Sequence, residues 1–164
     1  VRRERNKLVK IKLILIGKTK EAWIKEGIRH YLKLLKRYTD VELVEIREEK
    51  VSVSASAKSI KEKEADKILG LLKKSCLCIE LDVKGAYKSS VDFADFFKIN
   101  LNRGYGEFTF IIGGPLGLSP KVEKACPFKL SLSPMTFTHE MSRLILLEQI
   151  YRAFSIIQGS PYHK

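Results

Sequence analysis

The sequence predicts an α/β fold, a mostly parallel sheet with helices on both faces, and three observations carry that expectation. Apolar runs of strand length alternate with stretches of helical period, in βαβα order. Phe108–Ile112 is almost wholly apolar, as suits a strand buried on both faces at the centre of a parallel sheet. No repeat, low-complexity tract or domain-splitting linker interrupts the 164 residues. A chain of that length makes one domain and buries roughly two-thirds of its unfolded surface.

Val9–Ile16 is rich in β-branched residues and ends at Gly17, so it reads as the first strand. Lys20 to Tyr38 follows as a helix, with Trp23, Ile28, Tyr31, Leu32 and Leu35 forming its apolar side. Val41–Arg47 alternates apolar with acidic residues, the pattern of a half-exposed strand. Residues 48–58 are polar and serine-rich and read as a mobile loop. Ser59-Ile60-Lys61-Glu62 resembles a capping box, with a start one turn earlier near Ser54 as the alternative, and the helix runs to about Lys74.

Cys76–Asp82 is strand, and Val91–Leu101 is helix with Phe93, Phe96, Phe97 and Leu101 on its apolar side. Phe108–Ile112 is strand, Lys121–Ala125 a stub of helix, and Phe128–Ser133 another strand. Thr138 to about Gln158 forms the last helix, whose apolar residues fit burial against the sheet.

Hydrophobic residues make up an ordinary 45% of the chain, but 31 Lys+Arg against 19 Asp+Glu leave a net charge of +12. That excess suits a polyanionic partner, nucleic acid or an anionic membrane, although a solvated lysine-rich surface accounts for it equally well. No run approaches the ~20 apolar residues of a membrane span. Val1-Arg2-Arg3-Glu4-Arg5 mimics the start of a signal peptide, but the apolar stretch behind it, Ile11 to Ile16, is short and contains Lys12. A cytoplasmic protein is therefore expected. Cys76 and Cys78 share one face of a strand and Cys126 stands alone, with neither zinc-ligand spacing nor a disulfide framework, so buried reduced thiols and no metal are expected.

Two tempting motifs fail on spacing. Gly17-Lys18-Thr19 resembles the end of a phosphate-binding loop, yet the glycine required five residues earlier is Lys12. The glycines at 113, 114 and 117 do not make a dinucleotide fingerprint, because Pro115 and Leu118 hold the positions that spacing needs. What Gly113 and Gly114 do offer is a backbone without Cβ atoms at the exit of a buried strand, with Pro115 stiffening the turn. Three loops converge on the carboxyl edge of the sheet, where parallel sheets bind ligands: Leu81–Gly85, the Gly113 loop and Leu132–Phe137. Three ordinary tight turns would look the same.

Other segments go beyond scaffold. Leu130-Ser131-Leu132-Ser133-Pro134-Met135-Thr136-Phe137-Thr138-His139 resembles the L-S-x-S-x-M-T-F-x-H run of the RlmH family, the ribosomal RNA large subunit methyltransferases H. Glu148-Gln149-Ile150-Tyr151-Arg152-Ala153-Phe154 resembles the family's last helix, and Tyr162-His163-Lys164 its terminus. The likeness covers nearly the whole chain from Lys10 and starts with Lys12-Leu13-Ile14-Leu15-Ile16-Gly17-Lys18. It sets off residues 1–9, with Arg2, Arg3, Arg5 and Lys7, as a basic extension that is disordered or reaches for RNA, and leaves residues 10–164 as a single domain.

The resemblance implies a SPOUT α/β fold with a C-terminal trefoil knot, which element order alone would not suggest. It implies a homodimer that binds S-adenosyl-L-methionine in the knot and methylates N3 of a pseudouridine in large-subunit rRNA within the ribosome. On that mapping Leu81, Gly113 and Gly114 line the cofactor site, and Leu132, Ser133, Pro134, Met135, Thr136 and Phe137 form the loop enclosing it. Such a ligand has a flat adenine, a sulfonium and no phosphate, so it needs apolar walls and backbone amides.

The reaction needs a positioned nitrogen nucleophile and loss of its imide proton, a task for a base. The matched terminus makes His163 the base or substrate-orienting group, with Tyr162 available to stack on a nucleobase. His139, Arg143 and Lys164 are expected to contact RNA, Arg143 lying four residues after His139 on one helix face. Arg152 pairs with Glu148 in a structural role, and His30 lies on the surface.

Two positions depart from the family pattern. Pro134 removes an N–H from the cofactor loop, and Thr138 replaces a common proline with a helix N-cap. A non-catalytic RNA- or ribosome-binding protein with the same fold, and a SPOUT methyltransferase with another RNA target, remain the competing readings.

Overall fold

The computed structural model describes residues 9–49 and 56–162. The basic extension, apart from Val9, lies outside the described residues, as do the middle of the serine-rich loop and both His163 and Lys164. Ten elements follow in strict alternation: β1 (Lys10–Ile16), α1 (Ala22–Leu35), β2 (Asp40–Ile46), α2 (Ala57–Leu71), β3 (Leu77–Tyr87), α3 (Ser90–Asn102), β4 (Glu107–Ile112), α4 (Pro120–Ala125), β5 (Phe128–Ser131) and α5 (His139–Ile157).

The strands form one sheet in the order β2-β1-β4-β3-β5, and every pairing is parallel. Side chains on a strand alternate between faces, and the two faces build two cores. Ile11, Leu13 and Leu15 of β1, with Phe108 and Phe110 of β4, pack under α1, α3 and α5. Ile14, Ile16 and Ile111 point the other way, to Ala65 and Ile68 of α2 and Val122 of α4. Helices thus cover both faces, three on one and two on the other. Central strands β1 and β4 are apolar on both sides for this reason, whereas edge strand β2 keeps its alternation.

Four expectations need correction. Trp23 does not join the apolar side of α1; it is 57% exposed, and Ile24, Ile28 and Leu35 make that face instead. Helix α2 is capped by Ser56, whose hydroxyl accepts from the Ser59 amide, and it stops at Leu71. The segment expected as a loop after β3 belongs to β3, with an irregularity between Leu81 and Ala86 in its pairing with β5. Gly85 sits at that point because a Cβ there would lie 2.7 Å from the backbone carbonyl carbons of Lys129 and Leu130.

The fourth concerns the cysteines. Cys78 and Cys126, separated by 48 residues, are joined as a disulfide, while Cys76 is free. Their Cα atoms are 4.8 Å apart because β3 and the end of α4 pack together in the second core. That proximity is within disulfide reach and is a product of the fold, invisible in the spacing of the residues.

Candidate functional site

The carboxyl ends of β3, β4 and β5 open into a cleft of about 610 Å³, within the range common for small-molecule sites. The floor is backbone. Gly113 and Gly114 leave β4, and the turn closes where Gly117 N–H donates to Gly114 O at 3.0 Å. Neither glycine can take a side chain freely: a Cβ on Gly113 would meet Leu118 at 3.1 Å, and one on Gly114 would meet Ile16 at 3.1 Å. Ser119 ends the loop by capping α4 and donating its hydroxyl to Glu62 of α2 at 2.9 Å.

The second wall is the loop from β5 to α5. It is held by its own hydrogen bonds: the Ser131 hydroxyl donates to Ser133 O at 3.0 Å, and the Met135 amide donates to the Ser133 hydroxyl at 2.9 Å. The second bond spans Pro134 and the first lies before it, so the loop closes without the amide that proline lacks. Leu132, Ser133, Met135, Thr136 and Phe137 line the cleft from this side. Met135 and Phe137 are apolar and well exposed, which leaves their surface available to a ligand. Pro134 belongs to this loop but is exposed and does not face the cleft with its neighbours.

Leu81 of β3 completes the expected set, and the structure brings it together with Gly113, Gly114 and Leu132 in one cavity. Thr138 caps α5, accepting from the Met141 amide at 3.2 Å, and this places His139 at the cleft mouth.

Arg143 is a correction. It does not face RNA, because its side chain is wholly buried. Its guanidinium donates to the Thr19 hydroxyl at 2.8 Å and to the carbonyls of Ile16 and Gly17 at 2.7 and 2.9 Å. One helical turn back, Glu140 accepts from the amides of Lys20 and Glu21 at 2.9 and 3.1 Å, at the N-terminal end of α1. Burial is the largest influence and opposes the Glu140 charge, but the two amides together with the nearby Arg143 charge hold the carboxyl below its ordinary value. These bonds fix the start of α5, and with it His139, against β1.

Tyr162 lies elsewhere. Its ring packs edge-on against Tyr151 with centroids 4.7 Å apart, under Arg152, which is paired to Glu148 at 2.6 Å. Burial, foremost, and the neighbouring Tyr31 and Glu148 push its phenol above the ordinary value. Arg152 is structural, as expected, and His30 is exposed.

Sequence reasoning passed over the acidic side of the cleft. Glu80, Asp82 and Glu123 all line it. A signal was present: Glu80 is a lone carboxylate inside the apolar run Leu77–Leu81, at an inward position. Among the described residues no group of three or more His, Cys, Asp or Glu is placed to hold a metal ion, and no helix is long and apolar enough to cross a membrane.

Residues 9–163 match the family described as "Predicted SPOUT methyltransferase". The chain belongs to that family. The chain is 47% identical over 159 residues to the ribosomal RNA large subunit methyltransferase H of Halothermothrix orenii, covering 95% of this chain and all of the relative. The proteins of that name from Streptococcus thermophilus and Carboxydothermus hydrogenoformans are 46% and 45% identical over the same length and coverage. In a SPOUT methyltransferase, a glycine-floored cleft at the carboxyl edge of the sheet, walled by the β5–α5 loop, is the candidate methyl-transfer site.

Proposed function

We propose that this SPOUT methyltransferase binds S-adenosyl-L-methionine in the cleft and methylates N3 of a pseudouridine in large-subunit rRNA. The reading places it in the cytoplasm, acting on assembled ribosomes as a homodimer. The observation that carries it is the cleft itself: backbone at Gly113 and Gly114, apolar walls, and three carboxylates against a single lysine among its lining side chains. That lining suits a ligand with a flat base and a positive centre, and it suits a phosphate-bearing cofactor poorly.

When bound, S-adenosyl-L-methionine supplies a methyl group activated on a sulfonium. The chain's part is to hold, orient and exclude water. Leu81, Leu132 and Phe137 would wall the adenine, and the amides near Gly113 and Ser133 would meet its edges. His139 at the cleft mouth would contact the incoming RNA, with Lys164 adding charge from the terminus.

His163 would hold the proton lost from the imide nitrogen, with Tyr162 supporting the nucleobase. Geometry supports a dimer for this step. Tyr162 is fastened beside Tyr151, twelve positions along α5 from His139, or ~18 Å at the rise of an α-helix. That separation favours a tail that completes the cleft of a second protomer over one that folds back on its own. The strand order supports the knot: β5 returns to the far side of β3, beyond β4, before α5 folds back over α1 and α3.

The test is transfer of radiolabelled methyl from S-adenosyl-L-methionine to ribosomes, with free rRNA and ribosomes lacking pseudouridine alongside. Label confined to pseudouridine-containing ribosomes and mapped to N3 supports the reading. Cofactor binding without label on any of them overturns the substrate, and label on unmodified uridine overturns the nucleotide.

A further inference from the structure

Glu80 is the buried carboxylate that the site as described does not use. It is 3% exposed, lines the cleft, and its Oε2 has no hydrogen-bond partner. Glu107 also has one unpartnered oxygen, but its other oxygen accepts from Lys73, as Glu64 accepts from the Glu49 amide and Glu140 from two amides. Burying such a group without a partner is costly unless something pairs with it.

The charged groups around Glu80 come from three elements. Lys129, its register partner on β5, stands 3.8 Å away, beyond hydrogen-bond reach. That ammonium is shared: it lies 2.9 Å from Glu123 of α4 and 3.5 Å from Asp82 of β3. Three carboxylates thus surround one lysine. Across the cleft stand Lys61 of α2 and His139 of α5. In a chain of net charge +12, this wall carries a local excess of negative charge. It marks the cleft for a cation.

We infer that Glu80, with Asp82 and Glu123, selects the sulfonium form of the ligand over its neutral thioether product. The inference rests on the cofactor reading above. S-adenosylmethionine and S-adenosylhomocysteine differ by a methyl group and one formal positive charge at sulfur. A fixed carboxylate in a poorly hydrated wall attracts the first and gains nothing from the second. Glu80 is then a specificity-determining residue that favours loading and product release, not a participant in bond making.

Burial first, with Glu123 and Asp82 adding to it, pushes the Glu80 carboxyl above its ordinary 4.5, against the pull of Lys129. A cation in the cleft favours the ionised form and so releases a proton on binding. Affinity for the cationic ligand therefore rises as pH approaches the raised value of the free protein and levels off above it, while affinity for the neutral one stays flat there.

The experiment is isothermal titration of the full chain with S-adenosylmethionine, S-adenosylhomocysteine and sinefungin, whose amine replaces the sulfonium with another cation. Wild type is expected to prefer both cationic ligands by about tenfold, with the pH slope on those two alone. Glu80→Gln should bring the ratio near unity and remove the slope, and Glu80→Asp should restore much of both. Glu123→Gln, at an exposed position on α4, frees Lys129 to neutralise Glu80 and should lower the ratio without threatening the fold. An unchanged ratio in folded Glu80→Gln overturns this inference alone. Failure of wild type to bind any of the three overturns the cofactor reading and this one with it.

Discussion

The Arg143 guanidinium clasps Thr19 across 124 residues of chain, donating to its hydroxyl at 2.8 Å while its second nitrogen holds the carbonyls of Ile16 and Gly17. The Gly17-Lys18-Thr19 turn, which resembles a phosphate loop, is therefore a receptor for a side chain of the same molecule. The clasp joins the carboxyl end of β1 to the first turns of α5, and the cleft mouth depends on both.

Removing Arg143 would strand three acceptors in the interior. Arg143→Ala should destabilise the fold by roughly 3–5 kcal/mol. Arg143→Lys keeps the charge but loses the forked donors, and should recover less than half of that. Urea unfolding measures both, and a cost under about 1 kcal/mol for the alanine variant would mean the clasp contributes little.

Glu140 makes acid stability a second readout. Its carboxyl is held below the ordinary 4.5, so its contribution is full above that value and is lost as pH falls through the lower folded-state value. Glu140→Gln should cost about 1–2 kcal/mol at neutral pH and flatten that part of the acid limb. Urea midpoints taken down the acid range show whether the two proteins converge there.

Gly85→Ala puts a Cβ 2.7 Å from the β5 backbone, which no side-chain rotation relieves. β5 should shift from β3, at a cost of about 1–3 kcal/mol, and the loop carrying Leu132 and Ser133 should shift with it. Weakened cofactor binding in a protein that still folds is the expected outcome of calorimetry. Unchanged binding would separate the loop from β5.

The Cys78–Cys126 link predicts one reactive thiol in the oxidised denatured protein and three after reduction. Closing a 48-residue separation should contribute roughly 2–4 kcal/mol, read as a higher unfolding midpoint without reductant. Three reactive thiols in protein purified without reductant would show the pair reduced in solution.

If the tail serves a partner's cleft, two inactive chains should rescue each other. A Gly114→Val chain, whose side chain meets Ile16, and a His163→Ala chain each lack one half of a site. Mixed dimers assemble one complete site, so methylation of ribosomes should return to a sizeable fraction of wild type. No recovery after verified subunit exchange would place tail and cleft in the same protomer.

Much of this was written in local pattern. The period of the apolar residues gave all ten elements in order, and Thr138 announced the cap of α5. Gly113, Gly114, Leu81 and Leu132 could be placed at one edge because parallel strands deliver their loops there. Trp23 was misplaced because helical spacing identifies a stripe but not its borders.

By itself the sequence determined the alternating architecture, the family and the glycine and loop side of the cleft, because each is encoded within a few turns of chain. Tertiary structure alone decided the partners of charged and reactive groups. Arg143 finds Thr19, Glu140 finds the start of α1, Cys78 finds Cys126, and Glu80 finds no hydrogen bond for Oε2 in the cleft wall. A charge or thiol in a sequence carries no address. Burial and its neighbours give it one, and many of those neighbours come from elements far away in the chain, 48 residues for Cys78 and Cys126 and 124 for Arg143 and Thr19.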